Sequence, residues 1–300
     1  MLPLINGSRL HYEIAGDGPE VVLIHSGITD SRSWNPQFAE FAGHFRALRY
    51  DMRGFGESDV PSGAFSNLAD LVGLMDHVGF ERAALVGVSM GGALALDTAL
   101  EFPDRVSALV LVASGYSGRQ PSEEWQAMMA SWDDAYDQGG VEAATERMLE
   151  IWVVGKGRSA EDVSPAVRDA VAGMYRHLVE RYPDDFQSER AVRPASDRLA
   201  EVRVPTLILV GDRDLSDLLV AGAKLESNIS GARMVLMPGV AHAPNLEQPE
   251  VFNRVVIQFL LEALSAERNQ VQFDSQQQPG GVCDLSLGAT AAWPRCRCAA

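Results

Sequence analysis

A serine hydroxyl attacks a carbonyl at neutral pH only when a base takes its proton and donors await the oxyanion that forms. The stretch Gly87-Val88-Ser89-Met90-Gly91-Gly92 has the residue types for such a serine. It follows the apolar run of residues 83–88 and opens a helical pattern over residues 90–101, the strand–turn–helix context that a G-x-S-x-G elbow requires. On a turn this sharp, side chains two positions either side of the serine would meet neighbouring backbone, so Gly87 and Gly91 are the residues that fit. The backbone N–H of Met90 then enters the site from a helix N-terminus, where the dipole favours a developing negative charge.

The base must come from a loop at the carboxyl end of a sheet, beside the nucleophile. Of the six histidines, only His25 and His242 stand directly after strand-like runs. His25, at the end of EVVLIH, reads as a structural histidine that shapes its turn. His242, in Gly239-Val240-Ala241-His242-Ala243-Pro244, reads as the base. The acid is expected after the run TLILV at 206–210, where Asp212, Asp214 and Asp217 are the rivals. Asp212, next to Gly211, suits bonds to nearby turn N–H groups. Asp217 suits the first turn of the next helix. Asp214 lies between them in the loop. The order Ser89, Asp214, His242 is that of a Ser…Asp…His triad. The turn His25-Ser26-Gly27-Ile28 can add a second oxyanion donor, the N–H of Gly27. Asp51-Met52-Arg53-Gly54-Phe55-Gly56 is expected to be a structural turn in which Asp51 and Arg53 pair.

The elements that must position these residues alternate. Strands are expected at 9–15, 20–25, 45–50, 83–88, 106–113, 206–210 and 233–237, several of them continuous β-branched runs suited to burial on both faces of a parallel sheet. Helices are expected at 34–42, 67–78, 90–101, 218–227 and from 249 to about 266. This rhythm implies βαβ crossovers and a mostly parallel sheet flanked by helices. Between 116 and 194 it breaks into helical patterns alone, at 123–138, 141–153 and 165–181, with a short turn at 184–189. A helical block set between two halves of one sheet reads as a lid. The discontinuous core is therefore residues 1–115 and 195–266, and the lid is 116–194. Trp125, Trp132 and Trp152 lie in that lid and, with Ser26, are expected to line the substrate pocket. Residues 267–300, rich in Gln, Pro, Gly and small residues without apolar periodicity, read as a disordered tail or as an abnormal reading-frame extension.

Composition bounds the partners. The chain has 300 residues, 46% of them hydrophobic and 22% charged, and a formal net charge of −16. Such a surface repels nucleic acid and anionic membranes. The three cysteines, Cys283, Cys296 and Cys298, all lie in the tail, so the core has no disulfide framework; no metal site and no cofactor are expected. No signal peptide and no membrane-spanning run stands out, which makes a cytoplasmic location the expectation. Oligomeric state is not readable.

The motifs VVLIHSGI, YDMRGFGESD, LVGVSMGGALAL, ILVGDRD and MPGVAHAPNLEQPE, in this order, resemble the α/β-hydrolase superfamily. Within it they resemble the single-chain esterases, enol-lactone hydrolases, C–C bond hydrolases and cofactor-free haloperoxidases. The resemblance runs from about His11 to Leu264. It implies an α/β-hydrolase fold with an inserted helical lid over the site, Asp214 as the acid, and Gly27 as an oxyanion donor, although Ser26 stands where the family's first motif has glycine. Ser89 sets the chain apart from haloalkane dehalogenases and epoxide hydrolases, which carry Asp there. The expected activity is cleavage of a small carboxylic ester, lactone or similar acyl substrate through an acyl-enzyme. The alternatives are C–C hydrolysis, perhydrolysis, or a receptor on the same fold that binds a small ligand without turning it over.

Overall fold

The computed structural model describes residues 1–61, 63–181, 188–189 and 193–277, with 266–277 as helical backbone. The chain opens with a hairpin not anticipated from sequence, β1 (Leu4–Ile5) and β2 (Ser8–Arg9), closed by Asn6-Gly7 with both residues at positive φ. Such a pair suits a two-residue hairpin turn. Ending β2 at Arg9 shortens the next strand, β3 (Tyr12–Ala15), relative to the expected 9–15.

Then the α/β rhythm follows as the hydrophobic patterning implied. It runs β4 (Glu20–Ile24), α1 (Asn35–Ala42), β5 (Arg46–Tyr50), α2 (Asn67–Val78), β6 (Ala83–Val88), α3 (Met90–Glu101) and β7 (Val106–Val112). The block expected as a lid, between β7 and β8, holds α4 (Glu123–Met148), a π-helical turn at Leu149–Val154, and α5 (Pro165–Arg181). The core resumes with β8 (Thr206–Gly211), α6 (Ser216–Asn228), β9 (Arg233–Met237), the short α7 (Pro244–Glu247) and α8 (Pro249–Gln277). α4 is broken at Gly140, with φ 65° and ψ −154°, the place where the sequence separates two helices. Of the turn expected at 184–189, residues 184–187 lie outside the described residues. α8 continues beyond the expected end near 266 as helix to Gln277, and the rest of the expected tail, 278–300, lies outside the described residues.

Seven strands form one sheet in the order β3-β5-β4-β6-β7-β8-β9. Only β3 runs antiparallel; the other six are parallel neighbours. β6, β7 and β8 are buried along their whole length, which is why they read as unbroken apolar runs rather than alternating ones. One face packs under α2, α3 and α6 through residues such as Leu71, Leu96 and Leu225. The other packs under α1 and α8 through Phe41, Phe252 and Leu260. A third cluster, around Met148, Trp152, Val171 and Tyr175, belongs to the lid and reaches the core through Leu215 and Leu218.

The Asp51 turn departs from the expected pairing. Arg53 reaches Asp70 of α2 instead, with its Nε and Nη2 each at 2.8 Å. Asp51, 2% exposed, accepts the Ser31 N–H at 2.7 Å and the Glu57 N–H at 2.9 Å, and lies 3.2 Å from His11 Nδ1. The loop wraps the carboxylate so closely that a Cβ on Gly56 (φ 48°) would stand 2.2 Å from Asp51 Oδ2. Two neighbours in sequence therefore serve different elements, since the carboxylate faces inward while the guanidinium reaches along α2. Burial raises the Asp51 carboxyl, but the bonds from His11, Ser31 and Glu57 outweigh it and hold the group well below the usual carboxylate range. A depressed folded value adds stability above the unfolded value near 4, and that stability is lost as pH falls toward the folded value. Asp51→Asn is therefore expected to lower the melting temperature at pH 7 and to flatten its decline between pH 5 and 3, measured by calorimetry across that range. A variant whose acid decline matches the native chain's would contradict this account.

Candidate active site

The parallel strands β4, β6, β8 and β9 present their carboxyl ends along one edge of the sheet, and the loops that follow them carry the expected site residues. Ser89 stands where β6 turns into α3, in strained backbone at φ 55° and ψ −113°. Its N–H donates to the Val112 carbonyl at 2.8 Å and its carbonyl accepts the Ala93 N–H at 3.0 Å, so sheet and helix both fix the turn. The glycines are sterically required. A Cβ on Gly87 would lie 2.2 Å from the Gly91 oxygen, and one on Gly91 would lie 2.5 Å from the carbonyl oxygens of both Ile24 and His25. Contacts under 3 Å with backbone cannot be relieved by moving a side chain, so the elbow tolerates no larger residue there.

The β8 loop carries Asp214, the residue expected as the acid. Asp214 is 1% exposed, and its Oδ2 accepts a hydrogen bond from His242 Nδ1 at 2.9 Å while its Oδ1 accepts the Leu215 N–H at 2.7 Å. A carboxylate only accepts, so the Nδ1 proton is on the ring and Nε2 is left as the basic nitrogen. His242, 3% exposed, follows β9 as expected. The rival carboxylates are engaged elsewhere. Asp212 Oδ1 accepts the Gly239 N–H at 2.7 Å, tying the two loops together. Asp217, in the first turn of α6, accepts from Arg119 and from the N–H and hydroxyl of Ser122 at the start of the lid. Burial raises the Asp217 carboxyl, but those bonds outweigh it and hold it below the ordinary range.

The β4 loop borders the elbow. His25 is fully buried; its Nδ1–H donates to the Ser26 carbonyl at 2.7 Å, and its Nε2 accepts the Met52 N–H at 2.9 Å. It ties the β4 and β5 loops together as a neutral ring, since burial lowers its pKa, and this is the structural role expected of it. Gly27 lies against Met90, whose sulfur would be 3.5 Å from a Cβ at that position. The N–H groups of Gly27 and Met90 have no hydrogen-bond partner among the described residues.

A cleft of about 1020 Å³ opens over Ser89, Gly27 and Met90. Trp125 and Trp132 line it, together with Tyr175, Phe55 and Phe65. The other two residues expected in the pocket are not there. Ser26 and Trp152 border a separate cavity of about 10 Å³ beside His242, large enough for one water. The Ser26 hydroxyl is bonded to Thr29 Oγ1 at 2.8 Å, which turns it inward. Trp152 sits beneath the cleft wall, with its ring 4.4 Å from the His242 ring. Sequence reasoning could place the three tryptophans in the lid but not assign their faces, because a helix broken at Gly140 and ending in a π turn has no single period to extrapolate.

Arg53 and Arg119 are the cationic side chains lining the cleft among the described residues, and neither was anticipated as part of it. Both are committed to buried carboxylates, Arg53 to Asp70 and Arg119 to Asp217; Arg119 also stacks 4.5 Å over Trp125. Asp133, Asp137 and Glu189 line the same cleft. Among the described residues there is no group of His, Cys, Asp and Glu able to hold a metal ion, and no described helix is long and apolar enough to cross a membrane.

Comparison with known proteins agrees with this architecture. A sequence model of the Alpha/beta hydrolase family matches residues 21–255. A 2-hydroxy-6-oxo-6-phenylhexa-2,4-dienoate hydrolase of Comamonas testosteroni is 28% identical over 265 residues, covering 84% of this chain and 91% of its own. Among solved structures, the enol-lactonase of Burkholderia xenovorans LB400 superposes with a TM-score of 0.70 at 28% identity, covering 87% of this chain and all of its own. A thermophilic esterase of Thermogutta terrifontis superposes with a TM-score of 0.69 at 26% identity, covering 85% and 94%. These three proteins act, by their names, on a 2-hydroxy-6-oxo-6-phenylhexa-2,4-dienoate, an enol lactone and an ester.

Proposed function

This chain belongs to the alpha/beta hydrolase family, and from that premise we propose that it is a serine hydrolase of small carboxylic esters, lactones or similar acyl substrates. The observation that carries the reading is the buried Asp214–His242 hydrogen bond at 2.9 Å, which leaves a basic nitrogen for a serine held on a strained elbow. In the reaction, His242 Nε2 takes the Ser89 hydroxyl proton as the serine oxygen bonds to the substrate carbonyl carbon. The N–H groups of Gly27 and Met90 receive the resulting oxyanion. As the carbonyl re-forms, the bond to the leaving oxygen breaks and His242 returns the proton to it. Water, deprotonated by His242, then attacks the acyl-enzyme, and collapse releases the acid and restores Ser89. Asp214 holds the imidazole in the tautomer both half-reactions need.

The electrostatics of the cleft favour an uncharged acyl substrate over a dienoate. Its arginines, Arg53 and Arg119, are already neutralised by Asp70 and Asp217, while Asp133, Asp137 and Glu189 face the same space. A carboxylate entering it would meet like charge without a ready counter-ion. The partner is a small molecule; the net charge of −16 opposes nucleic acid and anionic lipid. A fluorophosphonate probe is expected to label Ser89. A neutral aryl ester of a short acid is expected to show at least about a hundredfold higher kcat/KM than a 2-hydroxy-6-oxo-dienoate. The reverse preference would establish the C–C reading, and an unlabelled Ser89 would leave a ligand-binding protein on a hydrolase fold.

A further inference from the structure

The loop that presents His242 is held from the lid as well as from the sheet. Trp152, in the π-helical turn Leu149–Val154, accepts the backbone N–H of His242 on its carbonyl at 3.1 Å. Its ring packs against the imidazole, centroids 4.4 Å apart and planes at 45°. Trp125 and Trp132 grip that ring edge-on at 5.4 and 6.5 Å. Just beyond, the chain passes so close to the acid loop that a Cβ on Gly155 would stand 2.4 Å from the Arg213 oxygen and 2.6 Å from Ala241 Cβ. The Lys156 N–H donates to that same Arg213 oxygen at 2.8 Å.

Arg158 closes the arrangement. Its guanidinium donates to the carbonyls of Val153 and Val154 at 2.7 and 2.6 Å, to the Gly239 carbonyl at 2.6 Å, and to Glu247 at 2.6 Å. The other oxygen of Glu247 accepts the Ala241 N–H at 2.8 Å. Both side chains of the pair are less than a tenth exposed, where such bonds are least screened.

We infer that Trp152, backed by Arg158, is a positioning residue for His242, and that residues 152–158 are a fixed part of the catalytic framework. The inference rests on the serine-hydrolase reading for its kinetic consequences and on geometry alone for its structural one. The Asp214 bond fixes one edge of the imidazole but restrains rocking of the ring about that bond only weakly. The indole, packed against it with the planes tilted at 45°, blocks that rocking and so sets the plane in which Nε2 meets the serine. The indole N–H of Trp152 is buried with no partner among the described residues, so the ring face matters rather than the donor, and phenylalanine should substitute. Trp132 differs: its N–H donates to the Tyr175 hydroxyl at 2.9 Å, and it lines the cleft.

The test compares Trp152→Leu, Trp152→Phe and Trp132→Leu in the full chain with a chromogenic ester, alongside hydrogen exchange of the peptide covering 239–246. Trp152→Leu should lower kcat by about ten- to a hundredfold with KM nearly unchanged, because misplacement of a catalytic group taxes the chemical step. Trp152→Phe should restore most of that loss, and Trp132→Leu should act mainly on KM. The 239–246 peptide should exchange faster in Trp152→Leu and not in Trp132→Leu, a readout independent of any activity. Unchanged exchange in Trp152→Leu, or a loss carried by KM as for Trp132→Leu, would overturn the inference. Should Trp152→Leu not fold, Arg158→Lys keeps the charge but cannot span both the lid carbonyls and Gly239. It should reproduce the kcat loss and the faster exchange, and native values of both would overturn the inference equally. A native chain that neither hydrolyses esters nor takes the fluorophosphonate would overturn the serine-hydrolase reading instead, with the exchange result still deciding the clamp.

Discussion

Ser89→Ala is expected to abolish phosphonate labelling and to lower ester turnover by about 10⁴-fold or more, while the melting temperature stays within a few degrees. On the serine-hydrolase reading the acyl-enzyme forms on Ser89, and without it only binding and oxyanion stabilisation by the Gly27 and Met90 amides would remain. The fold survives because the elbow is held by its backbone. The Ser89 N–H to Val112 and Ala93 N–H to Ser89 bonds persist with alanine, and the positive φ is no harder for Ala than for Ser. Near-native activity in a folded variant would remove Ser89 from the reaction, whereas collapse of the melting temperature would show that the hydroxyl is structural.

Asp214→Asn should cost about 10⁴-fold in turnover, with Asp212→Asn and Asp217→Asn costing at most about tenfold. In serine proteases the same substitution of the acid costs about 10⁴-fold because the imidazole is held in the wrong tautomer. An amide in place of Asp214 can turn its NH₂ toward Nδ1, which then must accept, so the ring proton moves to Nε2 and the base is lost. Asp212 and Asp217 touch neither His242 nor Ser89; their bonds to Gly239 and to Ser122 and Arg119 steady a loop and the lid entrance. Turnover numbers for the three variants decide the matter, and a crippled Asp212→Asn with an active Asp214→Asn would place the acid wrongly.

Local chemistry made much of this protein legible before its structure. Buried parallel strands must be apolar on both faces, so β6, β7 and β8 announce themselves as runs such as AALVGV and TLILV. The elbow is legible for a similar reason: a turn whose Cβ positions would collide with backbone permits only glycine at Gly87 and Gly91. Once the strands are known, Ser89, Asp214 and His242 fall in the loops at their ends, because a parallel sheet delivers its carboxyl ends to one side.

What the sequence could not decide is which partner a side chain chooses across the fold. Asp51 and Arg53, two residues apart, looked like a pair, but one is enclosed by its own loop and the other is claimed by Asp70 on α2. Trp125, Trp132 and Trp152 looked alike in the lid. Only the break at Gly140 and the π turn after Met148 send Trp125 and Trp132 to the cleft and Trp152 beneath it, against His242. The same holds for the neutralised arginines of the cleft, since Arg119 and Asp217 meet from positions 98 residues apart. Strand burial and turn sterics act within a few residues and are written in local residue types. Ion pairing, ring stacking and the lining of a cleft depend on which distant segments the packed sheet and lid bring together, and tertiary structure alone decides that.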